Sequence, residues 1–248
     1  MISTIDGCLW HETPFFCDRR KYGRGFAIPG GWASTAVLDP KAKDLRCAQL
    51  VAEMLGIELR LVPIRPPSAD DLARVIRCIE MPYKAQVEIG WACLQLAERM
   101  RSDGFKVTFS GEGSDELWAS YGFAYHALQK QNWHQYRKAL FLSQACKNFI
   151  RCNKVFMVHS IECRLPFLHP PLVEYALSLG QEAVQDGRSR PKAVLQEAFL
   201  GKLPDSITRR PKVAFQDGMG LKAVIAARLA SPKRFYEAEF ANFLRGAA

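Results

Sequence analysis

The sequence predicts an α/β domain, a parallel sheet with flanking helices, followed by a mostly helical second half. Three observations carry this. Short apolar runs that read as buried strands alternate with amphipathic helical stretches as far as Phe109. Strand signals nearly vanish after Leu117. No internal repeat, low-complexity stretch or flexible linker separates the two parts. Residues 1–248 therefore read as one domain, with an α/β half over 1–116 and a helical half over 117–248. Alternating strands and helices with buried strands point to a parallel sheet covered by helices. Ligands of such sheets bind outside the carboxyl ends of the strands.

The elements follow in order. Gly25-Phe26-Ala27-Ile28 reads as a short buried strand. Asp39-Pro40 reads as a helix start, an N-cap followed by proline at the first helical position. Ala42, Leu45, Ala48, Ala52 and Leu55 repeat at helical spacing, and Gly56 stops the run. Ile57, Leu59 and Leu61 alternate as a strand. Ser68 and Asp71 form a capping-box variant ahead of Leu72, Val75, Ile76 and Ile79. A further helix over 85–102, closed by Gly104, leads into a strand at 105–109. Beyond it, helices are predicted near 117–130, 133–150, 171–179, 191–200 and 217–229.

Composition narrows the function classes. A chain of 248 residues with 48% apolar content can bury a sizeable core. No run of about eighteen apolar residues exists, so no membrane span is expected. Met1-Ile2-Ser3-Thr4-Ile5-Asp6 lacks the basic and apolar regions of a signal peptide. The eight cysteines form no Cys-x-x-Cys pair, and several fall on apolar helical positions. They point to free thiols in a reducing cytoplasm. A metal site at His11 and Cys17 lacks the four-ligand cluster it would need. The net charge of +9 suits nucleic acid, an acidic partner or anionic substrates. No nucleic-acid motif accompanies it and the cations are dispersed, which is the pattern of a solvated surface with a few cations reserved for an anionic ligand.

The chemistry concentrates in Ser110-Gly111-Glu112-Gly113-Ser114-Asp115-Glu116, between the strand at 105–109 and a helical stretch from Leu117. Glycines let backbone N–H groups approach an anion, and a helix N-terminus favours negative charge. Carboxylates beside such a cradle suit a magnesium ion bridging protein and phosphate.

That segment resembles the pyrophosphate loop of the asparagine synthetase family. Three later segments match in the family's order. Asn153-Lys154-Val155-Phe156-Met157-Val158-His159-Ser160-Ile161-Glu162-Cys163-Arg164-Leu165-Pro166-Phe167-Leu168 is similar to its central helix and following loop. Leu203-Pro204-Asp205-Ser206-Ile207, then Arg210-Pro211-Lys212 and Phe215-Gln216-Asp217-Gly218, resemble its C-terminal lysine loop. The resemblance implies an adenine nucleotide α-hydrolase-like fold. It also implies an AMP- and pyrophosphate-forming carbon–nitrogen ligase of the asparagine synthetase or β-lactam synthetase type. ATP adenylates a small-molecule carboxylate, and ammonia or an amine then attacks the acyl-adenylate. The cofactors implied are ATP and Mg²⁺, and the setting is asparagine or natural-product biosynthesis.

Residue by residue, the resemblance makes Asp115 the metal ligand, where the competing reading is a helix N-cap. It makes Ser110, Gly111, Gly113 and Ser114 the pyrophosphate cradle. Glu112 falls near the reacting acyl centre, where it could orient the amine or take its proton, or simply be solvated. Lys212 matches the catalytic lysine, against the reading of a surface lysine. Glu162 and Arg164 read as a structural ion pair or as substrate contacts. Departures accompany the matches. The family opens with a Ser-Gly-Gly-x-Asp-Ser phosphate loop, and no such loop is found here. Gly30-Gly31 falls after the strand matched to the family's second strand. The first strand and the N-terminal glutaminase domain are also missing from 1–248. Asn153 and His169 stand where the family has aspartates. The expectation is a subunit whose partner supplies the missing phosphate loop or a glutaminase. The alternatives are a catalytically inactive synthetase-like binding subunit and, from net charge alone, a nucleic-acid-binding protein. The edge left by the missing strand would receive a partner, or the segment from Trp10 to Phe16 would fold back to cover it.

Overall fold

A computed structural model describes residues 15–17, 32–120, 132–184, 192–210 and 218–246. Five strands form one sheet: β1 Phe15–Cys17, β2 Trp32–Val37, β3 Glu58–Pro63, β4 Val107–Phe109 and β5 Glu162–Arg164. Their spatial order is β3-β2-β1-β4-β5. β2 runs parallel to β3, with Trp32 opposite Glu58, and β4 runs parallel to β5, with Thr108 opposite Cys163. β1 pairs antiparallel with both β2 and β4. The four longer-range strands therefore share one direction, and Val37, Pro63, Phe109 and Arg164 all end on the same edge. β1 alone runs against them.

The parallel sheet and its flanking helices are thus present, with one antiparallel strand at the centre. Phe15–Cys17, which overlaps the Trp10–Phe16 segment expected to cover an edge, lies instead between β2 and β4 inside the sheet. The strand expected at 25–28 falls outside the described residues. The strand that pairs parallel with β3 begins at Trp32, directly after Gly30-Gly31 in sequence, so the glycine pair precedes it and does not follow it.

Helix α1, Lys43–Leu55, starts later than Asp39-Pro40 suggested. The Asp39 side chain accepts the Lys41 N–H at 2.8 Å, and its carbonyl accepts the Ala42 N–H at 3.0 Å. Asp39 thereby closes a tight turn ahead of the helix instead of capping it. Gly56, with φ +62°, ends α1. Helix α2, Ala69–Ile79, opens with the full capping box: Ser68 accepts the Asp71 N–H, and Asp71 accepts the Ser68 N–H. Helix α3, Lys84–Ser102, is the spine, with twelve of its nineteen residues buried, including both Gln86 and Glu88.

The sheet separates two apolar cores. Alternation along β2 and β3 sends Ala36 and Val62 to one face, against α2, α3, Val155 and Phe156. Ala33 and Leu59 face the other way, against Val51 of α1 and the helical half's Trp118, Phe167 and Leu195. Each buried Val, Leu or Ile contributes roughly 1.5–3 kcal/mol. The helical half follows with α4 Ser114–Leu117, α5 Trp133–Gln144, a π-helical turn at Ala145–Phe149, α6 Ile150–Met157, α7 Pro170–Ser178, α8 Gln181–Val184, α9 Ala193–Ala198, α10 Asp205–Thr208, α11 Leu221–Arg228 and α12 Pro232–Gly246. The last of these was not anticipated. It packs on α2 and α3 and buries Tyr236. Among the described residues no helix is long and apolar enough to cross a membrane.

The Arg65 guanidinium, joined by the Ser68 N–H and hydroxyl, holds the Asp71 carboxyl well below the usual carboxylate range. A carboxylate depressed in the folded state stabilises above its unfolded value, about pH 3.9, and loses that contribution as pH falls through the lower folded value. Ser68→Ala should cost about 1 kcal/mol in urea unfolding. Asp71→Asn should destabilise at neutral pH, and its difference from wild type should shrink as the pH drops below about 4.

Candidate active site

The loop 110–116 sits at the carboxyl end of β4, on the edge that ligands of such sheets use. It is tied to the neighbouring strand: the Ser110 N–H donates to the Arg164 carbonyl at 2.9 Å. Two further backbone donors of the loop are used within it. The Glu112 N–H reaches Ser110 Oγ at 3.4 Å, and the Ser114 N–H reaches the Gly111 carbonyl at 3.3 Å. Gly113 adopts φ +95°, and a Cβ there would lie 2.6 Å from Leu168 Cδ2. Backbone geometry and the Pro166–Leu168 turn demand a glycine at this position, whatever the loop binds. The helix begins at Ser114 rather than Leu117 and lasts four residues, so its dipole is small. Its N-cap is Gly113, so Asp115 is not the cap.

Both carboxylates singled out by the sequence are buried and paired with cations from distant elements. Glu112 forms an ion pair with Arg151 of α6, their side chains 4% and 1% exposed. Asp115 forms an ion pair with Lys192, at the start of α9, and accepts the Ser120 hydroxyl. The Lys192 ammonium also donates to Ser114 Oγ at 3.2 Å. Lys192 is anchored in turn, its N–H donating to the Trp118 carbonyl at 3.2 Å. Trp118 Nε1 and Gln196 Oε1 are buried without a hydrogen-bond partner among the described residues.

A second set of contacts ties the loop to the spine. Arg151 donates to Gln86 Oε1 at 3.2 Å, Gln86 donates to Asn148 Oδ1 at 2.6 Å, and Asn148 donates to Glu116 Oε1 at 2.8 Å. The π-helical turn that carries Asn148 shifts the helical register between α5 and α6. Such turns insert a residue and re-aim the side chains around it. Beneath α4, the fully buried Arg137 donates to the Leu117 carbonyl and, at 3.2 Å, to the Leu179 carbonyl. Burial pushes its guanidinium down to about 10.

Lys212 lies outside the described residues. The residues that flank its segment both meet α1. Arg210 donates to Asp44 Oδ1 at 2.5 Å and to Cys47 Sγ at 3.1 Å. A Cβ on Gly218 would fall 1.8 Å from Asp44 Oδ2. Asp44 follows the carboxyl end of β2 and lines a hollow there with Val37, Leu38 and Met219. Glu162 and Arg164 pair with each other at 2.9 Å on the exposed strand β5, a contact of little energetic weight. Asn153 is exposed on α6. His169 is the N-cap of α7 and makes no side-chain cap there, the role an aspartate would fill.

Arg151, Lys192, Gln86, Asn148 and Ser120 were not singled out in the sequence. For Arg151 and Gln86 a signal existed: each is a polar residue embedded in the apolar stripe of a buried helix. Lys192 carried no such mark.

The Asparagine synthase family pattern matches residues 32–150 and 141–239. This chain belongs to that family. It is 28% identical over 214 residues to asparagine synthetase B [glutamine-hydrolyzing] of Escherichia coli, covering 84% of this chain and 39% of that protein. It is 30% identical over 186 residues to asparagine synthetase [glutamine-hydrolyzing] of Brassica oleracea, covering 71% of this chain and 32% of that one. A Lotus japonicus asparagine synthetase is 28% identical over 187 residues, with 72% and 32% covered. The chain thus spans about a third to two-fifths of the length of these relatives.

Removing one partner of a buried ion pair leaves an uncompensated charge and costs roughly 3–5 kcal/mol. Arg151→Met should lose that much in chemical unfolding. The Arg151→Met/Glu112→Gln double variant should recover most of it, which identifies the pair rather than lost packing. Gly113→Ala should cost about 1–3 kcal/mol through its backbone conformation and the Leu168 contact, with or without ligand.

Proposed function

We propose that the chain forms the synthetase part of an ATP-dependent amide-forming ligase, in which loop 110–116 holds the leaving pyrophosphate. The observation that carries this is the buried Lys192 ammonium set between Asp115 and Ser114 in a loop at the carboxyl edge of the sheet. Two serine hydroxyls and a carboxylate on the loop, with the Lys192 ammonium brought in from the start of α9, form a set suited to a phosphate with its counter-ion.

The carboxylate oxygen of the substrate attacks the α-phosphorus of ATP, the bond to the β-phosphate breaks, and pyrophosphate leaves. The amine nitrogen then bonds to the acyl carbon, and AMP leaves. Lys192 neutralises charge that accumulates on the leaving pyrophosphate, and Ser110 and Ser114 orient it. Glu112, held in place by Arg151, accepts a hydrogen bond from the attacking amine and takes its proton. Lys212, outside the described residues, is assigned the catalytic lysine role by its match to the family's lysine loop alone.

Among the described residues no group of three acidic, histidine or cysteine side chains gathers to hold a metal. The single buried carboxylate of Asp115 fits a magnesium ion that takes its remaining ligands from phosphate and water, which is how phosphate-bound magnesium is usually held. Magnesium, when bound, screens the repulsion between the substrate carboxylate and the triphosphate. Asp115 would hold it in place of its contact with Lys192, which frees the ammonium for phosphate.

The remaining half of the phosphate grip comes from another polypeptide segment, and ammonia from a glutaminase of the kind the relatives' names describe. A second reading, an inactive binding subunit, draws on the internal neutralisation of both Glu112 and Asp115.

Equilibrium dialysis with labelled pyrophosphate and Mg²⁺ tests the loop directly. Wild type should bind, and Lys192→Met and Asp115→Asn should each weaken binding about tenfold or more, the scale of one charge-assisted contact. Unchanged binding in both variants would remove the assignment. ATP–pyrophosphate exchange should be negligible for the chain alone and should appear when a protein bearing the Ser-Gly-Gly-x-Asp-Ser loop is added. Binding without exchange under every combination favours the inactive subunit.

A further inference from the structure

Between α6 and β5, Cys152 Sγ and Cys163 Sγ stand 3.3 Å apart with no disulfide joining them. Cys152 is 2% exposed on α6, and Cys163 is half-buried on β5. Each neighbours a residue that holds the loop. Arg151, adjacent to Cys152, carries the ion pair to Glu112. Arg164, adjacent to Cys163, accepts the Ser110 N–H through its carbonyl. Cys163 also stands opposite Thr108, two residues before Ser110. The two sulfurs thus bridge the helix that grips Glu112 and the strand that anchors Ser110, both in the first part of the loop.

We propose that Cys152 and Cys163 are a reversible oxidation site, taking small-molecule disulfides as oxidant and locking α6 to β5. The more accessible Cys163 reacts first. Its thiolate attacks one sulfur of the disulfide, the small molecule's S–S bond breaks, and one small thiol leaves after taking up a proton. Cys152, already in contact, loses its proton and attacks Cys163 Sγ. The mixed disulfide breaks, the Cys152–Cys163 bond forms, and a second small thiol leaves. Two protein thiols are oxidised by two electrons, and one disulfide is reduced to two thiols. Excess dithiol reverses the sequence.

The site has consequences for the loop whatever the loop binds. A covalent link between α6 and β5 restricts the separation of Arg151 and Arg164, and so the opening of the segment between Ser110 and Glu116. Oxidation then slows backbone opening there, and reduction restores it.

The test incubates the whole reduced protein with oxidised glutathione, followed by peptide mapping and amide hydrogen exchange. The expected result is a Cys152–Cys163 linked peptide pair, a protein lighter by two hydrogens, and at least tenfold slower exchange at residues 112–117, all reversed by dithiothreitol. Cys163→Ser should abolish the link and the change in exchange while leaving Cys152 reduced. Stable glutathione adducts without the link would overturn the proposal. So would a link to any other cysteine, or a Cys152–Cys163 link with unchanged exchange over 112–117. Mapping of the wild-type protein decides the chemistry even if the variant folds poorly.

Discussion

The loop at the end of β4 is held by a buried ion pair, Arg151 with Glu112, and much of the surrounding structure exists to make that pair tolerable. Two charges removed from water cost several kcal/mol each unless their geometry and remaining hydrogen bonds repay it. Gln86 supplies one such bond from the first turn of the most buried helix, and Asn148 passes the connection on to Glu116. The loop is therefore gripped at both ends, by a circuit that passes through α3, the π-helical turn and α6. Helices that would otherwise pack only through apolar contacts acquire a fixed register at this point.

The second anchor, Lys192 with Asp115, differs in kind. It joins the loop to α9, a short helix in the far part of the chain, and it engages Ser114 as well. A lysine ammonium is a compact charge on a flexible stem and can exchange one anion for another at little geometric cost. The arginine pair ties the loop to α6, and the lysine pair ties it to the start of α9. The antiparallel β1 completes the same picture from below. It joins the β2–β3 and β4–β5 pairs into one sheet, so the loop and the Asp44 hollow share an edge.

Much of this was legible in the residues. The capping box at Ser68, the stop at Gly56, the strand before Ser110 and the long third helix all depend on neighbours within a turn or two, and each is where local patterning places it. The loop itself was recognisable from its composition. The Asp39-Pro40 start failed because the aspartate satisfied a nearer N–H in a turn. The first strand escaped because its position in the sheet rests on pairing with residues far along the chain. Lys212, Gly25-Phe26-Ala27-Ile28 and the rest of the predicted 117–130 helix fall outside the described residues.

By itself the sequence determined the family, the order of helices and strands from Lys43 to Phe109, and the Gly/Ser loop that follows, because these rest on periodicity and on contiguous motifs. Only the tertiary structure decided which cations meet Glu112 and Asp115, because Arg151 and Lys192 reach them from tens of residues away through helix packing that no local pattern encodes. It also decided that Gly113 answers to Leu168, and that a reversed strand, Phe15–Cys17, occupies the centre of the sheet. Buried charges find partners because leaving them unpaired is costly, but which partner arrives depends on how two distant surfaces come together.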